Sequence, residues 1–231
     1  MTKTLCHILL GFFIVVIATS KSFAQDDFLW LHYFNRYKLS YKFSIDSDVG
    51  YRSYFPEGER WQGRSGLRYD INDNFYVRGG VMFVGGSVAR FEFRPYQDFV
   101  INSRVSFLTI TQRVRFEQQM FFDGTDTRFR LRYNPSVKFS TFLGYCTLGV
   151  EPFFVLNNPN SRVASNRMYV GLTRKAYKNV FVTLQYINER SYTKEESSFI
   201  NESNIIRLKV SHTIKPLRTG PLFGRKKQGL N

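Results

Sequence analysis

The sequence predicts an all-β fold: a transmembrane, up-and-down antiparallel β-barrel of about ten strands, with twelve as the upper count. Three observations predict it. Segments of about ten residues alternate charged with apolar side chains, the length and the period of two that a tilted membrane-crossing strand requires. The connections between these segments alternate between short and long. The chain also opens on a stretch laid out like a secretory signal.

That stretch is residues 1–24. Lys3 charges its start, ILLGFFIVVI at residues 8–17 forms an apolar core, and Ser22-Phe23-Ala24 places small residues where signal peptidase reads. The core is too short to cross a bilayer of ~30 Å as a helix, which favours cleavage over a retained anchor. Cys6 lies ahead of the core, so it is not a lipoprotein acceptor. Cys146 is then the single cysteine of the mature chain, which leaves no internal disulfide. Removing Lys3 and Lys21 takes the formal charge from +15 to +13. A basic balance of this size raises nucleic acid or an anionic surface as a partner, and export rules against the nucleic acid. Aromatic residues are 17% of the chain, in line with the Tyr and Trp that gather at a water–lipid boundary.

Residues 25–42, with the aromatic run 28–37, are expected to be a lead-in or a partial strand. The barrel itself is expected over 43–214. Residues 43–52 alternate Phe43, Ile45, Val49 and Tyr51 with Asp46, Asp48 and Arg52. PEGE at 56–59 turns the chain, and 61–69 returns with Arg64 and Arg68 on one face. Asn72-Asp73-Asn74 supplies a tight turn. Residues 75–83 put Phe75, Val77, Val81 and Phe83 outward and Arg78 opposite. A loop is expected over 85–94, then a strand over 95–106 with Asp98, Asn102 and Arg104 together, and a brief connection at 107–110.

The clearest hairpin is QRVRFEQQMFFDGTDTRFRLRY, residues 112–133. Its first arm aligns Arg113, Arg115, Glu117 and Gln119 against Val114, Phe116 and Met120. Its second aligns Arg128, Arg130 and Arg132 against Phe129, Leu131 and Tyr133. Strands are then expected to about residue 139 and over 145–154, the latter carrying Glu151. After the loop 156–165, Arg167 alternates with Met168. Strands over 180–190 and 204–214 complete the count, separated by the polar loop 191–203. Residues 215–231 form a basic tail. Ten strands start and finish the barrel at the end with the short turns, whereas counting 28–37 gives eleven, an odd number that bacterial single-chain barrels avoid.

In a membrane barrel the lipid is outside and the lumen polar. The candidate functional residues are therefore one lumenal charge network: Arg64, Arg68, Arg78, Arg104, Arg113, Arg115, Glu117, Arg128, Arg130, Arg132, Glu151 and Arg167. Arginine and carboxylate are expected to pair bidentately across strands and fill the lumen. The surplus of arginine suits a narrow anion-preferring path or an acidic ligand. A secreted soluble barrel or sandwich that binds a ligand is an alternative, and it would invert the faces, burying Phe129, Leu131 and Tyr133. A lipid-modifying hydrolase is another, and it needs a Ser–His pair. Ser211 and His212 are neighbours in a strand, so they point to opposite faces. His32 and His212 read as interfacial residues. No catalytic, metal or cofactor motif stands out, and no enzyme is expected.

Four stretches carry a family likeness: RSGLRYDINDNFYVRGG (64–80), RVRFEQQ (113–119), RFRLRY (128–133) and NRMYVGL (166–172). With them the chain resembles a family of Gram-negative outer-membrane barrels known only as a domain of unknown function, DUF2490. The likeness spans nearly the whole mature chain. The residues read directly give membrane lipid and lipopolysaccharide as expected surroundings, small anions as the candidate solute, and a monomer, whereas the likeness itself implies a barrel in the cell outer membrane. It implies no substrate. The chain departs from the usual pattern by ending in a basic tail instead of an aromatic residue that closes the last strand.

Overall fold

A computed structural model describes residues 25–54, 58–157, 163–192 and 199–215. The expected signal segment 1–24 and the tail from 216 lie outside the described residues. Eleven strands follow one another: β1 (Gln25–Lys38), β2 (Phe43–Tyr54), β3 (Gly58–Asp70), β4 (Phe75–Gly85), β5 (Glu92–Val105), β6 (Leu108–Phe121), β7 (Arg128–Thr141), β8 (Gly144–Val155), β9 (Val163–Tyr177), β10 (Val180–Tyr192) and β11 (Phe199–Ile214). Each pairs antiparallel with the next, and β1 pairs with β11 to close the barrel.

The closed barrel holds one strand more than the alternation suggested. Residues 25–42 are not a lead-in: β1 is 14 residues long and is bonded on both edges, to β2 and to β11. Its inward positions are themselves partly aromatic, so its alternation is muted. An odd count has a topological consequence. In a chain that runs up and down, the first and eleventh strands point the same way, so the closing pair must be parallel, as it is. The chain therefore enters the barrel at the end with the long connections and leaves at the opposite end, where both termini had been expected.

Strands are 11 to 16 residues long because several expected loops are strand. Glu92 and Arg94, expected in a loop, begin β5, and Val163 begins β9 inside the expected loop 156–165. The tight turns have local causes. Ser40 Oγ accepts the amides of Lys42 and Phe43, and Asn72 Oδ1 accepts those of Asn74 and Phe75 at 2.9 and 2.8 Å. Gly144 opens β8 with φ of 137°, where a Cβ would lie 2.4 Å from the Thr173 carbonyl oxygen. At the other barrel end, six residues join β4 to β5 and six join β6 to β7, so the connection around Gly124 is not compact.

The two faces sort as the period of two requires. Leu29, Leu31, Ile45, Val49, Leu67, Phe83, Phe99, Leu148, Met168, Leu184 and Ile206 point outward and are exposed. The interior has no single oily core. Two small apolar clusters occupy the lumen near the long connections: Trp30, Ile187 and Ile205 packed by Phe28 and Tyr169, and Met82, Val84 and Tyr96 packed by Ala89. Charge fills much of the rest.

Candidate functional site

Inward positions recur every second residue, so consecutive strands stack their charged side chains into layers across the lumen. Tyr96 on β5 is the hub of one layer. The Arg115 guanidinium lies 4.6 Å from its ring centroid, with Arg64 and Arg78 at 5.5 and 5.7 Å. Each of these cations holds an acid. Arg115 donates two bonds to Asp98, from Nε to Oδ1 at 2.6 Å and from Nη2 to Oδ2 at 2.9 Å. Arg78 donates to Asp98 at 2.9 Å and to Asp46 at 3.0 Å. Asp46 also takes a fork from Arg36, at 2.7 and 2.9 Å. Arg64 donates to Asp48 at 2.5 Å, and His32 bonds the other Asp48 oxygen at 2.9 Å.

Phe153 on β8 is the second hub, with Arg132 and Arg167 each 4.6 Å and Arg130 5.2 Å from its centroid. Arg132 bridges two acids, donating to Glu117 at 2.8 Å and to Glu151 at 2.7 Å. Arg130 also donates to Glu117, at 2.8 Å through Nε. Arg113 donates to Glu151 at 2.5 Å, and Arg167 donates to Glu189 at 3.0 Å. The two hubs meet at Glu117, where Arg115 of the first layer stands 3.5 Å from the carboxylate.

These charges are deep. Asp46, Asp98, Arg115 and Glu117 are at most 1% exposed. Ions taken out of water at this depth persist only when charge-assisted bonds occupy them, which is the pattern here. The arrangement is a chain of ion pairs running across the barrel interior. Among the described residues it offers no nucleophile beside a base, and it links β1 through β10 across the lumen.

Most of the expected network is thus one connected body: Arg64, Arg78, Arg113, Arg115, Glu117, Arg130, Arg132, Glu151 and Arg167. Three residues stand apart from it. Arg68 turns to Asp70 on its own strand, at 2.7 Å. Arg104 and Arg128 have the inward parity but sit at strand ends, where both are exposed, so neither is a network member. Arg128 lies against the Phe121 ring instead. The alternation assigned a face correctly but carried no information on depth.

Several members escaped sequence reading. Glu92 and Arg94 pair with each other, and Arg94 reaches Glu117 at 3.8 Å. They were missed because Pro95 looked like a strand start, although E92-x-R94-x-Y96-x-D98 already alternates. His32, expected at the interface, is buried, and Arg36 was hidden with it in β1. His212 does face outward, 3.3 Å from the Tyr33 hydroxyl. Tyr96 and Phe153 gave no signal, because an inward aromatic looks like any other strand residue. Among the described residues, no three His, Cys, Asp or Glu side chains gather as a metal-binding group.

Residues 28–199 match the family described as protein of unknown function (DUF2490). The chain belongs to that family. The match starts within β1 and runs past β10, so this DUF2490 barrel carries both hubs inside the matched region. No curated protein and no solved structure matches it. Membership therefore supplies no substrate, and the geometry of the lumen is what remains to be interpreted.

Proposed function

We propose that this DUF2490 barrel is an outer-membrane protein of Gram-negative bacteria, exported through a cleaved signal peptide and surrounded by membrane lipid and lipopolysaccharide. Its role in this reading is structural and not enzymatic: a monomeric barrel held shut by its own lumenal ion pairs. One observation carries the proposal, namely that the molecule is polar inside and apolar outside. A soluble barrel would expose Leu67, Phe99, Leu184 and Ile206 to water while burying Glu117 and Arg115, the reverse of what the hydrophobic effect favours. Lipid removes the contradiction, since outward apolar and inward polar residues are the pattern of an outer-membrane barrel. A closed barrel has no free strand edge, which supports a monomer.

The non-enzymatic reading rests on what surrounds His32 and His212, the histidines among the described residues. His212 meets Tyr33 on the outer face, and His32 meets Asp48 inside. Among the described residues neither pairs with a serine, so the hydrolase alternative lacks its dyad there. A second reading, an anion-preferring path, is favoured by one observation: among the described residues, the lumenal charges at the Trp30 wall that lack an oppositely charged partner are all positive, namely Arg52, Arg207 and Lys209.

Cell fractionation followed by planar-bilayer recording tests both. The expected result is recovery in the outer-membrane fraction, extraction only by detergent, and no conductance steps from the folded barrel. Recovery as a soluble periplasmic protein would overturn the membrane proposal. Steps with anion selectivity would replace the shut barrel with the anion path.

A further inference from the structure

The lumen has a third aromatic hub, and it lacks what the other two have. Trp30 on β1 carries the Arg52 guanidinium at 4.5 Å and that of Arg207 at 4.6 Å from its ring centroid. Lys209 stands two residues further along β11, 5.5 Å from the Phe34 ring. Around Tyr96 and Phe153 every arginine has a carboxylate. Around Trp30 none does. Arg52 donates only to the Tyr54 hydroxyl at 3.3 Å, and Arg207 donates only to the amide oxygen of Gln185. Arg207 Nε is buried with no partner at all.

The acids nearest in field are already engaged. Glu189, whose field reaches Arg52, is held by Arg167, and Glu151, whose field reaches Arg207, is shared by Arg113 and Arg132. Asp48, the acid facing Lys209, is taken by Arg64 and His32. Cations crowded in a low-dielectric interior repel strongly unless an anion joins them. Among the described residues no acid is left to join them.

We infer that Trp30, Arg52, Arg207 and Lys209 form a lumenal binding site for a phosphate-type oxyanion. The inference deepens the anion-preferring reading and locates it at one wall. Two guanidinium forks and an ammonium can donate to several oxygens at once, and a tetrahedral oxyanion presents several. Chloride offers a single spherical centre, which matches the paired donors of a guanidinium fork less well than two oxygens do. The site faces the lumen, so its occupant is a free phosphate or small phosphate ester, and not the headgroup of a lipid on the outer wall.

The chain has two tryptophans, so Trp61→Phe leaves Trp30 as the only indole and the site reports on itself. The folded, detergent-solubilised protein is titrated with sodium phosphate at ionic strength held constant by chloride. Saturable change in Trp30 emission is expected. Arg207→Gln and Arg52→Gln should each weaken it at least tenfold, whereas Arg90→Gln, at an exposed pair with Asp123, should not change it. Removing an unpaired cation should not unfold the barrel, and Arg207→Gln is expected to raise its melting temperature in phosphate-free buffer. The inference is overturned if chloride and phosphate act alike, or if folded Arg207→Gln keeps the full response. Saturation by phosphatidic acid in mixed micelles, without any response to inorganic phosphate, would also overturn it. Conductance is not read in this assay, so a failure here leaves the shut-barrel reading standing, and a soluble protein would betray itself by folding without detergent.

Discussion

Glu117 faces four arginines, with Arg130 and Arg132 hydrogen-bonded and Arg94 and Arg115 within 4 Å. Removing one partner from a buried ionic cluster costs ~3–5 kcal/mol, because the remaining charges stay buried without compensation. Glu117→Gln should therefore lower unfolding stability by about that amount. Urea denaturation in detergent measures it, and Glu189→Gln, which releases Arg167 alone, should cost less. A loss for Glu117→Gln no larger than for Glu189→Gln would remove Glu117 from the centre of the network. The neighbouring pair Arg130 and Leu131 tests which side is wet. Leu131→Arg puts a charge on the outer face, costing ~2–4 kcal/mol at mid-membrane, and should block assembly into the membrane fraction. Arg130→Leu should assemble but unfold more readily. Equal tolerance of both changes would refute the assignment of faces.

Strand packing in β3, β4 and β5 depends on two glycines. Gly66 and Gly80 are register partners, and the Tyr96 ring lies across them. A Cβ on Gly80 would fall 2.3 Å from the Ser65 carbonyl oxygen and 2.8 Å from the Tyr96 hydroxyl. The backbone cannot move away without breaking the ladder, so Gly80→Ala should destabilise by ~1–3 kcal/mol. Tyr96→Phe should be close to neutral in the same denaturation assay, since the buried hydroxyl has no hydrogen-bond partner to lose. At the closing seam, Leu31 of β1 is the register partner of Leu208 of β11, and both face outward. Leu31→Cys combined with Leu208→Cys, in a Cys146→Ser background, should cross-link on oxidation and give a band that stays compact on a denaturing gel. Absence of the cross-link in folded protein would open the seam and return β1 to the status of a lead-in.

For the barrel as a whole, eleven strands set Gln25, where β1 starts, and Ile214, where β11 stops, at opposite ends. If the long connections face the outside of the cell, a peptide tag placed directly before Gln25 should be cut by protease added to intact cells. A tag appended at the C-terminus should survive until the outer membrane is breached. The opposite pattern would invert the barrel in the membrane. The barrel class and the facing of Arg113, Arg115, Arg130 and Arg132 were legible in the chain, because a strand's period of two ties every residue's face to its neighbour's. The strand count was not legible. Trp30 and Phe34 are inward yet aromatic, so β1 reads as a uniform greasy run, and the rule against odd counts pointed the wrong way. Arg104 and Arg128 show the second limit: alternation gives the face, whereas distance from the barrel ends depends on where neighbouring strands begin.

The sequence by itself determined which side chains share a strand face, one charged and one apolar, and the signal segment, strand lengths and loop asymmetry favoured turning the charged face inward. Local physics suffices for the sharing of a face, since only the strand period is involved. Tertiary structure decided which charges meet. Asp46 of β2 bonds Arg78 of β4, and Glu151 of β8 bonds Arg113 of β6, across a strand that neither belongs to. Such contacts depend on closure and on the stagger of the strands, and no window of sequence contains either. The same closure brings Arg52 of β2 and Arg207 of β11 to opposite neighbours of β1, around one indole and without an acid between them.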